Sequence, residues 1–213
     1  MIPNRAFRPA PENARDRLLE AGVKLVRRQG FSATSVGELC AEAGVTKGAF
    51  FHHFASKEEL GAELARYWSC STSGFFSDAP FSRETDPLDR ILGYIDLRIA
   101  LIGGPVEAFS CVAGTMLQES FRSSEPIRAA CRDSILGNAD LFVDDLAEAV
   151  AIHGVEADPA SLSRHMQVVI QGAFILAKTQ DDDDAAAAVA RDSLVHLRNY
   201  LTLLFGRHAP AQS

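Results

Sequence analysis

Gly44 is the residue that most constrains how this chain can fold, because two short helical patterns meet there. Ser35 and Glu38 have the spacing of a capping box, so a helix is expected to start at Ser35 and to run through Val36, Leu39, Cys40 and Ala43. Gly44 tolerates a left-handed turn, and the apolar Val45 behind it would tuck that turn inward. Thr46 can cap a second short helix, from Lys47 to about His53. Ser56 and Glu59 then repeat the capping-box spacing for a third.

A helix, a tight glycine turn and a second helix form the geometry that presents the second helix to the DNA major groove. Val45, Phe50 and Phe54 are spaced to anchor that second helix, which leaves Lys47, Ala49, Phe51, His52 and His53 for its outer side. A cation, a small residue and flat polar rings suit phosphate contacts and a groove floor. Lys57 falls in the first turn of the following helix, where a cation is disfavoured by the helix dipole, and contact with a phosphate would explain it there.

The run from Gly44 through Val45-Thr46-Lys47-Gly48-Ala49-Phe50-Phe51-His52-His53-Phe54 to Lys57 and Leu60 closely resembles the DNA-binding signature of TetR-family transcriptional regulators. The likeness extends upstream through Arg15 to Ala21 and through Gln29 to Ser35, covering about the first 60 residues without gaps. The resemblance implies three N-terminal helices that bind DNA, followed by a variable helical domain that binds a ligand and dimerises. It implies that Thr34 and Ser35 meet backbone phosphate and that Lys57 clamps the backbone. Lys47, Gly48, Ala49, Phe51, His52 and His53 would then lie along the groove.

Two positions depart from the family pattern. Gly37 offers no side chain where a longer polar or basic residue is common, and Phe51 stands where tyrosine is common. Phe51 can make only apolar contacts, so base reading is expected to lean on Lys47, His52 and DNA shape.

The chain has 213 residues with a net charge of −7, which looks wrong for a nucleic-acid binder until it is divided. Residues 1–60 carry nine basic against seven acidic side chains, whereas the remainder carries 12 against 21. The positive end is the end with the helix-turn-helix pattern. Cys40, Cys70, Cys111 and Cys131 are too far apart in sequence for a zinc or disulfide framework, so reduced thiols are expected. No apolar run approaches the roughly 20 residues that span a bilayer, and no signal-peptide core is present, so no membrane association and a cytoplasmic location are expected.

Residues 1–11, with three prolines, Arg5 and Arg8, read as a disordered basic arm that either touches DNA or is a solvated tail. The reader domain is placed at 12–57, a helical ligand-binding and dimerisation domain at 58–206, and a tail at 207–213. Apolar periodicity predicts helices over Glu12–Gln29, Lys57 to about Gly74, Leu88–Ile102, Val106–Arg122, Pro126–His153, Ser161–Lys178 and Ala185–Phe205. Ser69 to Pro87, rich in Ser, Asp and Pro, reads as a flexible loop. No segment alternates as a strand does, so the class is all-α.

The last two helices are apolar over much of their girth, which suggests a partner copy packed on Val168, Gly172, Ile175, Leu197, Leu201 and Leu204. The alternative is burial within one chain. Asp181 to Asp184 read as a solvated turn favouring the start of the final helix rather than as a metal site. Candidate effector contacts are the apolar Trp68, Phe75, Phe109, Met116 and Phe142, with Gln118, His165 and Gln171 as polar orienting groups. Aromatic residues of this kind are more often core than pocket, and polar ones more often hydrogen-bonded structure than ligand contact.

No metal-spaced cluster, nucleophile elbow or phosphate-binding glycine loop supports a hydrolase or metalloenzyme, and no catalytic residue, metal or cofactor is assigned. The expectation is therefore a homodimeric repressor that binds a palindromic operator and is released by a small molecule. A regulator that senses redox state or electrophiles through its thiols is the alternative.

Overall fold

The computed structural model describes residues 13–206, and every regular element within them is helical. The basic arm and the tail lie outside the described residues. Ten α-helices follow in order: α1 (Ala14–Gln29), α2 (Val36–Ala43), α3 (Lys47–His53), α4 (Lys57–Ser77), α5 (Pro87–Leu101), α6 (Val112–Ser120), α7 (Glu125–Asp140), α8 (Val143–His153), α9 (Pro159–Ala177) and α10 (Asp183–Leu204).

The local signals explain most of the boundaries. Asn13 caps α1 by accepting the Asp16 N–H, and Gly30, at φ +89°, lets the chain leave that helix while its own N–H donates to the Val26 carbonyl. The capping box at α2 is complete. The Ser35 hydroxyl accepts the Glu38 N–H at 3.2 Å, and the Glu38 carboxylate accepts the Ser35 N–H at 2.8 Å. Asp182 caps α10 by accepting the Ala185 N–H at 2.8 Å, so the acidic run sits at the positive end of that helix.

By packing, the described residues divide into two compact units. One takes residues 13–75 and 110–137, and the other takes 76–109 and 138–206. The first unit is larger than the reader placed at 12–57 by motif. Its core is built on Leu18, Leu19, Leu25, Leu39, Phe50, Phe54, Leu60 and Leu64, and it also buries Val112, Ala113 and Met116 of α6 with Ile127 and Cys131 of α7. In this unit α6 and α7 complete the core begun by α1 to α4. Met116, expected near a ligand, is therefore a fully buried core residue of the reader unit.

In the second unit α5, α8, α9 and α10 pack together, and α9 and α10 form its most extensive helix pair. Tyr94, fully buried, donates to Asn138 Oδ1 at 3.0 Å and accepts from Arg98 Nε at 2.8 Å, while Gln167 donates to the same Asn138 oxygen. Arg90 ties α5 to α8 through Asp145 and Glu148.

Three sequence-derived boundaries shift. The expected loop from Ser69 is helical as far as Ser77, because Ser71 and Thr72 fold their hydroxyls back onto the carbonyls of Tyr67 and Trp68 instead of opening the chain. The helix expected over 126–153 breaks into α7 and α8 at Leu141–Phe142. There the buried Phe142 ring lies 4.2 Å from that of Tyr94, a tertiary contact that periodicity cannot register. The helix expected from Val106 becomes a short 3-10 turn followed by α6. The start of α6 is capped by Cys111 sulfur accepting the Gly114 N–H at 3.3 Å, an unusual cap for a sequence reading to find.

Candidate nucleic-acid interface

The site is assembled by α2, the turn at Gly44 and α3. Gly44 adopts φ +64°, in the left-handed region, and the Val45 N–H behind it closes onto the Cys40 carbonyl at 3.0 Å. Thr46 caps α3 by accepting the Ala49 N–H at 3.1 Å. At seven residues α3 is too short to be stable alone, so its position depends on packing. Phe50 and Phe54 supply it. Both rings are buried, with centroids 5.8 Å apart.

With those two rings turned inward, the other face of α3 is left to solvent. Lys47, Gly48, Phe51 and His52 are exposed, and Ala49 and His53 are half-buried. Phe51 is 58% exposed with its edge against Phe50 at 5.1 Å, an apolar ring offered outward on a rigid base. The His52 and His53 rings meet at 4.9 Å. Beside α3 lies an open concavity of about 510 Å³, lined by Ala14, Arg17, Cys40, Ala41, Gly44, Val45, Thr46 and Ala49. Arg17 and Ala41 are not among the residues that the sequence reading brings to this site. The signal that could have found Arg17 is its position one turn into α1, on the side that α2 and α3 approach.

The two expected phosphate contacts at the start of α2 differ. Ser35 is exposed, and its hydroxyl proton is free to donate while the oxygen caps the helix. Thr34 is buried, and its hydroxyl donates to the Gly30 carbonyl at 2.7 Å, so its side chain supports the loop rather than facing solvent. A hydroxyl that closes a local turn cannot be told from a surface donor by spacing alone.

Lys57 is half-buried at the start of α4. Its ammonium donates to the Ser32 carbonyl at 3.2 Å and lies 4.6 Å from the Phe31 ring centre. Burial lowers its pKa, while the carboxylates of Glu119 and Glu38 pull it back up. Glu38 itself is held down, to about 2, by the Ser35 backbone and hydroxyl and by Gln29.

The expected effector residues fall in both units. Trp68 packs on the reader core with the Arg27 guanidinium 5.1 Å from its ring, Phe75 is half-buried, and Gln118 is exposed and bonded to the Gly114 carbonyl. In the other unit Phe109 and Phe174 are buried neighbours, with ring centroids 6.1 Å apart, and Phe142 packs on Tyr94. Gln171 is half-buried, and His165 is exposed beside Tyr200.

Of the expected partner-facing residues, Val168 and Ile175 are exposed, and Gly172 and Leu204 are half-buried. Leu197 and Leu201 are buried within the unit, so they hold α10 onto its neighbours rather than facing outward. Leu176, Tyr200 and Leu203 are exposed instead, Leu203 at 73%. A one-residue shift in reading the helix face exchanges Leu201 for Tyr200 and Leu204 for Leu203.

Among the described residues no group of three or more His, Cys, Asp or Glu side chains could hold a metal ion, and no helix is long and apolar enough to cross a membrane. Residues 18–64 match the family model "Bacterial regulatory proteins, tetR family". An uncharacterized helix-turn-helix-type transcriptional regulator of Bacillus subtilis, YxaF, is 23% identical over 188 residues, covering 87% of this chain and 96% of that protein. The Escherichia coli transcriptional repressor NemR is 24% identical over 191 residues, covering 89% and 94%. The crystal structure of its reduced form superposes with a TM-score of 0.71 at 25% identity over 88% of this chain and 96% of that one. A TetR-family regulator from Agrobacterium tumefaciens superposes with a TM-score of 0.72 at 20% identity, covering 87% and 98%.

Proposed function

The chain belongs to the TetR family and is a helix-turn-helix transcriptional regulator, and from that premise we propose that it is a repressor which binds a palindromic operator as a homodimer and leaves it when a small molecule binds. The observation that carries the proposal is the division of α3 into a buried anchor, Phe50 with Phe54, and an exposed face of Lys47, Phe51 and His52. That division leaves polar and apolar groups outward on a fixed helix, which groove reading requires. Two such helices, one from each protomer, would enter successive major grooves roughly 34–36 Å apart.

Lys47 and His52 supply base and phosphate contacts, Phe51 supplies an apolar contact such as a thymine methyl, and Ser35 and Lys57 supply backbone contacts. Thr34 acts indirectly by holding the loop before α2. The exposed apolar surface of α9 and α10, with Val168, Ile175 and Leu203, is the dimer face in this reading. A ligand that favours a dimer with differently spaced reader helices would release DNA through its differential affinity, with α4 carrying the shift. Trp68, Phe75, Phe109, Phe142, His165, Gln118 and Gln171 remain the candidate effector contacts. A regulator of this kind works in the cytoplasm, without a cofactor and without enzymatic chemistry.

Placing the DNA upstream of its own gene before a reporter tests the sign of regulation. The proposal expects low expression with the chain present and a rise when it is deleted. A fall on deletion would identify an activator.

A thiol-sensing regulator is a second reading, favoured by the exposure of Cys70 on α4. Burial pushes the Cys40 and Cys131 thiols up, Cys131 to about 12, which disfavours the reactive thiolate at both. DNA binding that is indifferent to peroxide and to a thiol alkylator would remove this reading.

A further inference from the structure

Ser32, in the loop between α1 and α2, is gripped from two sides. Its N–H donates to the Glu119 carboxylate of α6 at 2.6 Å, and its carbonyl accepts from the Lys57 ammonium at 3.2 Å. A main-chain N–H and an ammonium are the pair of donors that proteins direct at a DNA phosphate, and Ser32 lies three residues before the exposed Ser35. A carboxylate resembles a phosphodiester in the relevant respects, since both are monoanions with two acceptor oxygens.

Glu119 is mounted to hold that position. Val112, Ala113 and Met116 bury α6 in the core of the reader unit. Gly30 leaves room for the carboxylate: its φ of +89° disfavours a side chain, and a Cβ there would collide with Glu119. The other acids nearby are otherwise engaged. Glu38 accepts from Ser35 and Gln29, Glu59 accepts from the Ala55 N–H, and Glu58 accepts from the Ser124 hydroxyl.

We propose that Glu119 is a built-in phosphate mimic, a positioning residue that occupies the Ser32 N–H beside the Lys57 ammonium, so that a DNA backbone phosphate must displace it to bind there. The inference rests on the DNA-binding role of the chain and adds a partner to it. Backbone contacts carry no sequence information, so a carboxylate competing at this point weakens binding to all DNA alike and leaves discrimination to the face of α3.

The test measures binding of the full chain to a labelled duplex of arbitrary sequence over a range of salt. Glu119→Gln keeps an acceptor for the Ser32 N–H and removes only the charge. It is expected to bind roughly three- to ten-fold more tightly at low salt, with a slope of log K against log salt steeper by about 0.9, the value of one further phosphate. In a Lys57→Ala background the same substitution is expected to change the slope little. Glu119→Ala is the second probe, because a carboxylate that only buttressed the loop would lose both stability and binding in that variant. Unchanged or weaker binding by Glu119→Gln, at an unchanged slope and with its helical circular dichroism intact, overturns the inference alone. A wild-type chain that binds no duplex at low salt contradicts the DNA-binding role as well.

Discussion

Ser35 and Glu38 show how much one pair of side chains decides. Each satisfies a donor at the start of α2 that would otherwise go unpaired. Ser35→Ala is expected to destabilise the reader by about 1 kcal/mol, read as a lower midpoint in chemical unfolding. The pH dependence follows from the depressed carboxylate of Glu38. Its pKa in the folded chain is about 2 against an ordinary 4.5, so the stability it adds is fully present above about 4.5 and is lost as pH falls towards 2. Acid unfolding of Glu38→Gln should therefore be flatter over that window than that of the wild type, and identical curves would contradict the role given to Glu38. On α3, neighbouring phenylalanines should separate cleanly. Phe50→Ala is expected to lose about 3–5 kcal/mol of stability, whereas Phe51→Ala should leave stability within about 0.5 kcal/mol and weaken DNA binding. Equal destabilisation by both would contradict the division of α3 into anchor and reading face.

At the scale of elements, helices whose ends are written in local chemistry were legible, and those shaped by distant contacts were not. Ser35, Gly44 and Thr46 announce α2, the turn and α3 from sequence alone, because a cap or a left-handed turn needs particular residue types. The break at Phe142, the sulfur cap at Cys111 and the continuation of α4 through Ser71 and Thr72 depend on partners far away or on side-chain rotations, and no periodicity encodes them. The same holds within the interface. The exposure of Lys47, Phe51 and His52 followed from helical spacing around Phe50 and Phe54. The burial of Thr34 and the arrival of Glu119 at Ser32 did not, since one rests on a hydroxyl rotation and the other on α6 packing into the reader unit. That packing is close at Gly61, where an added Cβ would stand 2.8 Å from atoms of both Phe31 and Ile127. Gly61→Ala should therefore destabilise the reader unit by about 1–3 kcal/mol in chemical unfolding, and a neutral result would mean that α4 and α7 pack less tightly than described.

At the scale of the whole molecule, α9 and α10 carry large apolar residues that are exposed among the described residues. Val168 is 67% exposed, and Leu176 and Leu203 are exposed with it. The proposed dimer covers them. Val168→Glu combined with Leu203→Glu is expected to yield a folded monomer in analytical ultracentrifugation, and a variant that still sediments as a dimer would place the interface elsewhere. A monomeric variant should also lose most operator affinity, because each half-site alone recovers only part of the binding free energy.

DNA reading is proposed for the exposed face of α3. The most direct measurement is a footprint of the purified chain on the DNA flanking its own gene, beside a Lys47→Ala/His52→Ala variant checked for intact folding. A palindromic protected region that the variant fails to protect is expected. Protection that survives in the variant, or a folded wild-type chain that protects no sequence there, would contradict that role of α3.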